Sequence, residues 1–225
     1  MGQGAHISAA TESSISGSAR QSRRTPRQRR ARDTAEAIVT AAELTLVEVG
    51  YSRASTNVIA RRAGVSVGSL YQYFSDKDAI FRAVVKRHRE RVYPAIALML
   101  RELARPATDV VTVTLELLRR MAEANGENPE LLRCIDQELG WLEHEEDPSD
   151  DVLGAVVPLL RAKVPTHRDT IDVVARLMVM TVSVLARWLV HGKPRELDTE
   201  AFVAATGRML RGLLGPDSRA TRGAS

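Results

Sequence analysis

The sequence predicts an all-α protein in which a small N-terminal helical domain precedes a larger helical bundle. Aromatic residues make up only 4% of the 225 residues, and Ala, Leu, Arg and Glu are frequent, so the composition favours helix over strand. Beyond residue 33, apolar side chains recur at helical spacing along most of the chain. Breaks that contain Pro, Gly or Asn divide this pattern into about nine helices.

Charge is distributed unevenly along the chain. Residues 1–91 contain 16 Lys and Arg against 8 Asp and Glu, whereas residues 92–225 contain 16 against 20. A basic segment beside a neutral or acidic one is typical of a module that binds a polyanion, joined to a module that does not. The N-terminal part is therefore the candidate for nucleic-acid binding.

Composition also restricts the compartment and the cofactors. The single cysteine, Cys134, excludes an internal disulfide framework and argues against a Cys-rich zinc site. No metal and no other cofactor is predicted. The chain lacks a run of about 18 uncharged apolar residues, and its first 20 residues lack an apolar segment. We therefore expect a cytoplasmic protein without a membrane partner.

Four segments follow from these patterns. Residues 1–32 are predicted to be a disordered arm, and within it "RQSRRTPRQRRAR" carries seven arginines and no acid. Such an arm is either a solvated tail or a contact to phosphates and the minor groove. Residues 33–80 are predicted to form the small helical domain, residues 81–215 the bundle, and residues 216–225 a disordered tail.

The small domain should contain three helices. The first begins at Asp33 or Thr34 and stops at Gly50, and the second ends at Gly64. A third helix, capped by Ser66, should run on to residue 74, and a fourth should begin at residue 75 or 76. Pro94 is expected to kink or divide that fourth helix.

The second and third helices, joined through "AGVS", have the layout of a helix-turn-helix. If Leu70 and Phe74 face inward, the rest of the third helix is small or flat and capable of hydrogen bonding. A helix needs such a surface to enter the major groove while its edges hold phosphates. Ser66, on one edge, is a candidate phosphate contact.

The segment "ARDTAEAIVTAAELTLVEVGYSRASTNVIARRAGVSVGSLYQYFSDKDAIFRAVV", residues 31–85, resembles the DNA-binding domain of the TetR family of bacterial transcriptional regulators. Leu46 and Ala54 depart from the family's common Phe and Thr, and Ala54 removes one possible polar contact. The resemblance implies phosphate contacts by Thr56, Ser69, Tyr73 and Lys77. It implies base contacts by Asn57, Val67, Gly68 and Tyr71.

By the same resemblance, the bundle holds a small-molecule effector, and the last two helices form a homodimer interface. Candidate cavity residues, chosen for soft or flat side chains, are Met99, Met121, Cys134, Trp141 and Met178. Candidate interface residues are Val174, Leu185, Trp188, Phe202, Ala205, Met209 and Leu213. Ordinary core packing is the alternative interpretation of both sets.

The resulting hypothesis is a homodimeric repressor that binds a near-palindromic operator and is released by a small molecule. A second hypothesis is a DNA-binding dimer whose bundle serves only dimerisation or recruitment of a protein. An enzyme is not predicted, because residues 95–215 show no nucleophile arrangement, paired carboxylates or metal-ligand spacing.

Overall fold

A computed structural model describes residues 26–145, 149–164, 169–194 and 196–215. These residues form ten helices and no strand, so the predicted all-α fold is confirmed. The predicted tail at residues 216–225 and most of the predicted arm lie outside the described residues. The helices are α1 (Pro26–Arg53), α2 (Thr56–Ala63), α3 (Val67–Leu70), α4 (Lys77–Leu103), α5 (Val110–Gly126), α6 (Pro129–Glu138), α7 (Gly140–Glu145), α8 (Ser149–Lys163), α9 (Ile171–His191) and α10 (Thr199–Leu214).

α1 begins earlier than predicted. Residues 26–32, assigned from the sequence to a disordered arm, form the first turns of this helix. Pro26 stands at the first helical position, where its missing N–H costs nothing. Arg32 is paired with Glu36 one turn later, with 2.6 Å between Nε and Oε1. Arginine is a good helix former, so this charged stretch extends the helix.

The backbone of α1 is interrupted at Gly50, the residue predicted to stop the helix. Gly50 has φ 76° and ψ 167°, a conformation that is nearly restricted to glycine. A Cβ at this position would lie 2.9 Å from a carboxylate oxygen of Glu138 on α6. Gly50 therefore permits both the turn and the close approach of α6.

We expect Gly50→Ala to destabilise the protein by about 2–3 kcal/mol, because it adds both backbone strain and a clash with Glu138. Gly64 is the matched control, since it also has positive φ (69°) but no atom lies within 4 Å of the methyl group that alanine would add. Gly64→Ala should cost about 1–2 kcal/mol. Urea unfolding followed by circular dichroism measures both values, and equal losses would contradict the role of the Glu138 contact.

α4 continues through Pro94 without a break, so of the two expected outcomes, a kink or a division, the division is wrong. Proline removes one backbone hydrogen bond, but Pro94 is exposed and the freed carbonyl one turn earlier belongs to the exposed residue Glu90. α4 thus forms one helix over residues 77–103. Two of the predicted helices are parts of this single element.

Two hydrophobic clusters share α4. The first combines α1, α2 and α3 with Ile80, Phe81 and Val84 of α4, and also includes Leu131 and Ile135 of α6. It therefore crosses the predicted domain boundary at residue 80. The second cluster forms the bundle core and takes later residues of α4 together with α5, α8, α9 and α10. The helix that carries the N-terminal unit is also a wall of the bundle.

Candidate nucleic-acid interface and ligand cavity

Side-chain caps fix the turn between α2 and α3. The Ser55 hydroxyl accepts the N–H of Val58 at 3.3 Å, and Gly64 ends α2 in the left-handed conformation. The Ser66 hydroxyl then accepts the N–H of Ser69 at 3.0 Å and begins α3. The helix-turn-helix layout predicted from "AGVS" is present in this geometry.

α3 is shorter than the predicted third helix. The regular helix covers Val67–Leu70, and residues 71–73 continue as turns. Leu70 is fully buried and Phe74 packs against the same cluster, as the sequence predicted for the inward face. The N–H of Phe74 still donates to the carbonyl of Leu70 at 3.1 Å, so the chain keeps the helical path across the turns.

Three of the candidate base-contacting residues are exposed, and the fourth is half-buried. Tyr71 is 51% exposed, and Asn57 and Gly68 are exposed beside it. The Tyr71 hydroxyl is 3.2 Å from the hydroxyl of Thr56, which links the exposed ends of α2 and α3. Val67 is half-buried against the N-terminal cluster, so less of its side chain is available for a base.

The candidate phosphate contacts differ in their local bonds. Tyr73 is exposed, whereas the hydroxyls of Ser66 and Ser69 are 2.8 Å apart and already bonded to each other. A phosphate would have to share these hydroxyls with the helix cap. Thr56 lies at the start of α2, half-buried beside Tyr71.

Lys77, at the start of α4, is held against the end of α1. Its Nζ donates to the carbonyl oxygen of Tyr51 at 3.1 Å and lies 3.8 Å from the centre of the Tyr51 ring. These contacts offset the unfavourable position of a cation at a helix N-terminus. Tyr51 therefore positions a predicted DNA contact, a role that the sequence reasoning missed.

Tyr51 is also tied to α4 and α6. Its hydroxyl donates to the Asp78 carboxylate, and its N–H donates to Glu138 at 2.7 Å. Its ring packs edge-on against Phe81 and Trp141, at centroid distances of 5.3 and 6.0 Å. Burial, followed by the hydrogen bond to Asp78, raises the pKa of Tyr51 to about 12.

The raised pKa predicts a pH dependence of stability. Because the folded pKa of about 12 exceeds the ordinary value of 10, the contribution of Tyr51 is complete below pH 10 and is lost as pH rises from 10 towards 12. Absorbance titration near 295 nm should show one of the four tyrosines ionising last. Tyr51→Phe should remove that step, and Tyr93→Phe is the control. Loss of the late step in Tyr93→Phe would contradict the assignment.

A cavity of about 450 Å³ lies inside the bundle between α4, α5, α8 and α9. Met99, Met121 and Met178 line it, as predicted. Cys134 and Trp141 do not. Cys134 packs against the N-terminal cluster, and Trp141 is exposed beside Tyr51, because α6 and α7 lie against the N-terminal unit instead of the cavity.

Polar groups in the cavity wall escaped the sequence reasoning. His88, Thr114 and Asn125 are buried there, and Arg89 and Arg187 also line the space. A sequence signal existed, since His88 lies four residues after Val84 and four before Val92. A polar residue within the buried apolar face of a helix indicates a possible ligand-binding site.

An unpartnered apolar stripe runs along α9. Val173, Leu177, Met180 and Val184 follow at helical spacing and are all exposed. On α10 the exposed residues include Ala205 and Met209, both among the predicted interface residues. α9 is also the one helix of the described residues that is long and apolar enough to cross a membrane by composition alone, which is weak evidence because core helices pass the same test.

The other predicted interface residues face inward to different extents. Val174 is buried in the bundle core and does not face a partner, because it points about 100° away from the exposed Val173 on the helix. The remaining four are half-buried and pack against that core: Leu185, Trp188, Phe202 and Leu213. Trp188 and Phe202 stack with 4.9 Å between their ring centres, which joins α9 to α10.

Comparisons with known proteins agree with this geometry. Residues 38–84 match the family model described as "Bacterial regulatory proteins, tetR family". An uncharacterised HTH-type transcriptional regulator of Mycobacterium tuberculosis is 33% identical over 117 residues, which cover 44% of this chain and 60% of that protein. The chain thus spans less than two thirds of the length of this relative.

Solved structures share the fold. A TetR-like transcriptional regulator from Rhodococcus sp. RHA1 superposes with a TM-score of 0.58 at 19% identity, covering 81% of this chain and 97% of that one. The multidrug binding protein EbrR, solved with imidazole, gives a TM-score of 0.56 at 21% identity, covering 82% and 97%.

The matched segment includes α2, α3 and the beginning of α4, and so contains the Ser66 cap, the turn at Gly64 and the exposed Tyr71 and Tyr73. These similarities point to a non-enzymatic family of DNA-binding regulators. The family model over residues 38–84, the curated HTH-type regulators and the shared fold all support a TetR-family regulator.

Proposed function

We propose that the chain is a cytoplasmic, homodimeric repressor that binds a near-palindromic operator through α2 and α3 and is released when a small molecule enters the bundle cavity. One observation carries this proposal. α4 bears Lys77 beside the recognition region at one end and lines the cavity with Val92 and Met99 further along. A ligand that favours one position of α4 therefore shifts the recognition helices as well.

α6 provides a second connection between the two parts. Asp136 pairs with Arg187 of the cavity wall and lies 2.8 Å from the Nε2 atom of His191. Two residues later, Glu138 accepts the N–H of Tyr51, which in turn holds Lys77. A change at Arg187 can thus reach the DNA-contacting end through α6 as well as α4.

The apolar stripe of α9 and the exposed Ala205 and Met209 of α10 support the dimer. A twofold axis between two such helix pairs buries Leu177, Met180 and Met209 and sets two recognition helices about one DNA turn apart. The exposed arginines at the start of α1 are candidates for additional phosphate contacts: Arg27, Arg29 and Arg30. EbrR, by its description a multidrug binding protein, is an example of a ligand-binding protein on the same fold.

The proposal is tested with labelled DNA duplexes and fluorescence anisotropy. A duplex from the region upstream of the protein's own gene should bind about a thousandfold more tightly than a random duplex, and both affinities should fall with salt. No preference for the upstream duplex would overturn the regulator. Candidate ligands are found in a screen monitored by thermal shift. If the protein prefers the upstream duplex and no small molecule releases it, a dimer whose bundle only dimerises or recruits a protein is favoured.

Two substitutions separate base reading from phosphate holding. Asn57→Ala should weaken the upstream duplex by about tenfold and leave the random duplex nearly unchanged, because Asn57 is a candidate base contact. Tyr73→Phe removes only a hydroxyl at a candidate phosphate contact and should weaken both duplexes by a similar factor. The opposite pattern would reverse the two assignments.

A further inference from the structure

The wall of the bundle cavity has an uneven charge distribution. Its ionisable residues include Arg89, Arg187 and His88, and no Asp or Glu is among the described residues that line it. A guanidinium is always charged at physiological pH and presents N–H donors in a planar fork that matches a carboxylate or phosphate. The wall therefore favours an anion.

The two arginines and His88 share one end of the cavity. α4 and α5 form an antiparallel hairpin because the connection over residues 104–109 is short, so Asn125 near the end of α5 lies level with His88 and Arg89. Arg187 lies towards the same end, since it pairs with Asp136 on α6, two residues before the Glu138 carboxylate that accepts the N–H of Tyr51. The polar end thus faces the DNA-binding unit.

The opposite end is apolar. Met99, Leu103, Leu117, Leu160 and Met178 line it. The Thr114 hydroxyl, also near this end, donates to the carbonyl of Val110 at 2.7 Å, so that donor is used within α5. Lys163 lies outside the wall, and its Nζ is 2.6 Å from the carbonyl oxygen of Arg105.

We propose that the cavity binds an amphiphile with an anionic head group and an apolar tail, the head lying between Arg89 and Arg187 and the tail running towards Leu103. This inference deepens the proposed function, because it names the chemical class of the effector. A neutral hydrocarbon would desolvate the polar end without supplying a hydrogen-bond acceptor, and a cationic amphiphile would be repelled by both arginines. The volume of about 450 Å³ is within the range of small-molecule sites.

The carboxylate of Asp136 is part of the mechanism. It holds Arg187 from the α6 side, so an anionic head group in the cavity competes with Asp136 for the same guanidinium. Weakening that pair loosens the hold of α9 on α6, the helix whose Glu138 contacts Tyr51. The head group is therefore the part of the ligand that signals to the DNA-binding end.

The test measures ligand binding to the DNA-free, full-length protein by isothermal titration calorimetry. The probes share one chain length and differ in the head group: decanoate, decyl phosphate, 1-decanol and decyltrimethylammonium. We expect at least one anionic probe to bind about tenfold or more tightly than decanol, and decyltrimethylammonium to bind most weakly. The preference between decanoate and decyl phosphate identifies the head group. Equal affinities for all four probes, or tightest binding of the cationic one, would overturn the proposal.

Variants locate the head group. Arg89→Gln and Arg187→Gln should each weaken the preferred anionic probe by about tenfold and leave decanol unchanged, whereas Arg89→Lys should keep most of the affinity. Arg120→Gln on α5 is the matched control, because its side chain pairs with Glu116 away from the cavity. Equal weakening of the anionic probe and decanol in the Gln variants would contradict the assignment. The titrations contain no DNA, so a negative result in them does not contradict operator binding. A failure to bind an operator, in turn, does not contradict the anionic ligand.

Discussion

Leu177→Asp is expected to convert the dimer into monomers and to abolish tight operator binding. Leu177 is 45% exposed in the apolar stripe of α9, so a carboxylate there would be buried without a partner in the proposed interface. A monomer engages one half-site, and the loss of the second half-site removes a factor of about 10²–10⁴ from the affinity. Sedimentation velocity and fluorescence anisotropy on the upstream duplex measure the two effects.

The matched control is Leu44→Asp. Leu44 is 52% exposed on α1 and lies outside the α9 and α10 stripes. This variant carries the same chemical change and should remain dimeric with an unchanged unfolding midpoint. If Leu177→Asp also remained a dimer at micromolar concentration, the α9 stripe would not be the interface.

Phe81→Ala is expected to cost about 3–5 kcal/mol of folding stability and to eliminate DNA binding. The Phe81 ring is fully buried and meets Tyr51 edge-on, in the cluster where α4 joins the N-terminal unit. Its removal leaves a cavity that α1, α3 and α6 line and cannot easily close. Urea unfolding followed by circular dichroism measures the loss, and anisotropy measures the DNA affinity.

Two further variants test whether the loss of stability is specific to the removal of the Phe81 ring. Phe81→Leu keeps most of the volume and should cost less than about 1.5 kcal/mol. Met99→Ala removes a side chain from the same helix at the cavity wall, where empty space already exists, and should cost less than Phe81→Ala. A larger loss of folding stability for Met99→Ala than for Phe81→Ala would contradict the conclusion that α4 is close-packed at Phe81 and lines a cavity at Met99.

The sequence predicted local features well wherever one residue type decides the backbone. Gly50 interrupts the backbone of α1 and Gly64 ends α2, both at positions that the sequence indicated, because few other residues tolerate positive φ. Ser66 caps α3 for a similarly local reason, since its hydroxyl reaches an N–H three residues away. The predictions that failed concern positions where the preference of one residue type competes with the helical tendency of its neighbours. Pro94 is tolerated within α4, and the arginines at residues 27–32 are helical.

Only part of the candidate DNA interface and ligand cavity could be predicted from the sequence. Asn57 and Tyr71 were named as base contacts from the resemblance of residues 31–85 to a known family, and both are exposed in the structure. The cavity residues could not be chosen reliably, because a methionine in a helix looks the same whether it lines a cavity or fills a core. Three of the five candidates line the cavity, and Cys134 and Trp141 lie on helices that pack elsewhere.

By itself, the sequence determined that the protein is helical, where the helix-turn-helix lies, and which of its side chains are candidates for DNA contact. These properties depend on neighbours within about one helical turn, and that information is present in the order of residues. Only the tertiary structure decided that Lys77 rests on Tyr51, that α6 joins Arg187 to the DNA-binding unit through Asp136 and Glu138, and that arginines gather at one end of the cavity. These contacts join residues tens of positions apart, and they depend on how the helices pack.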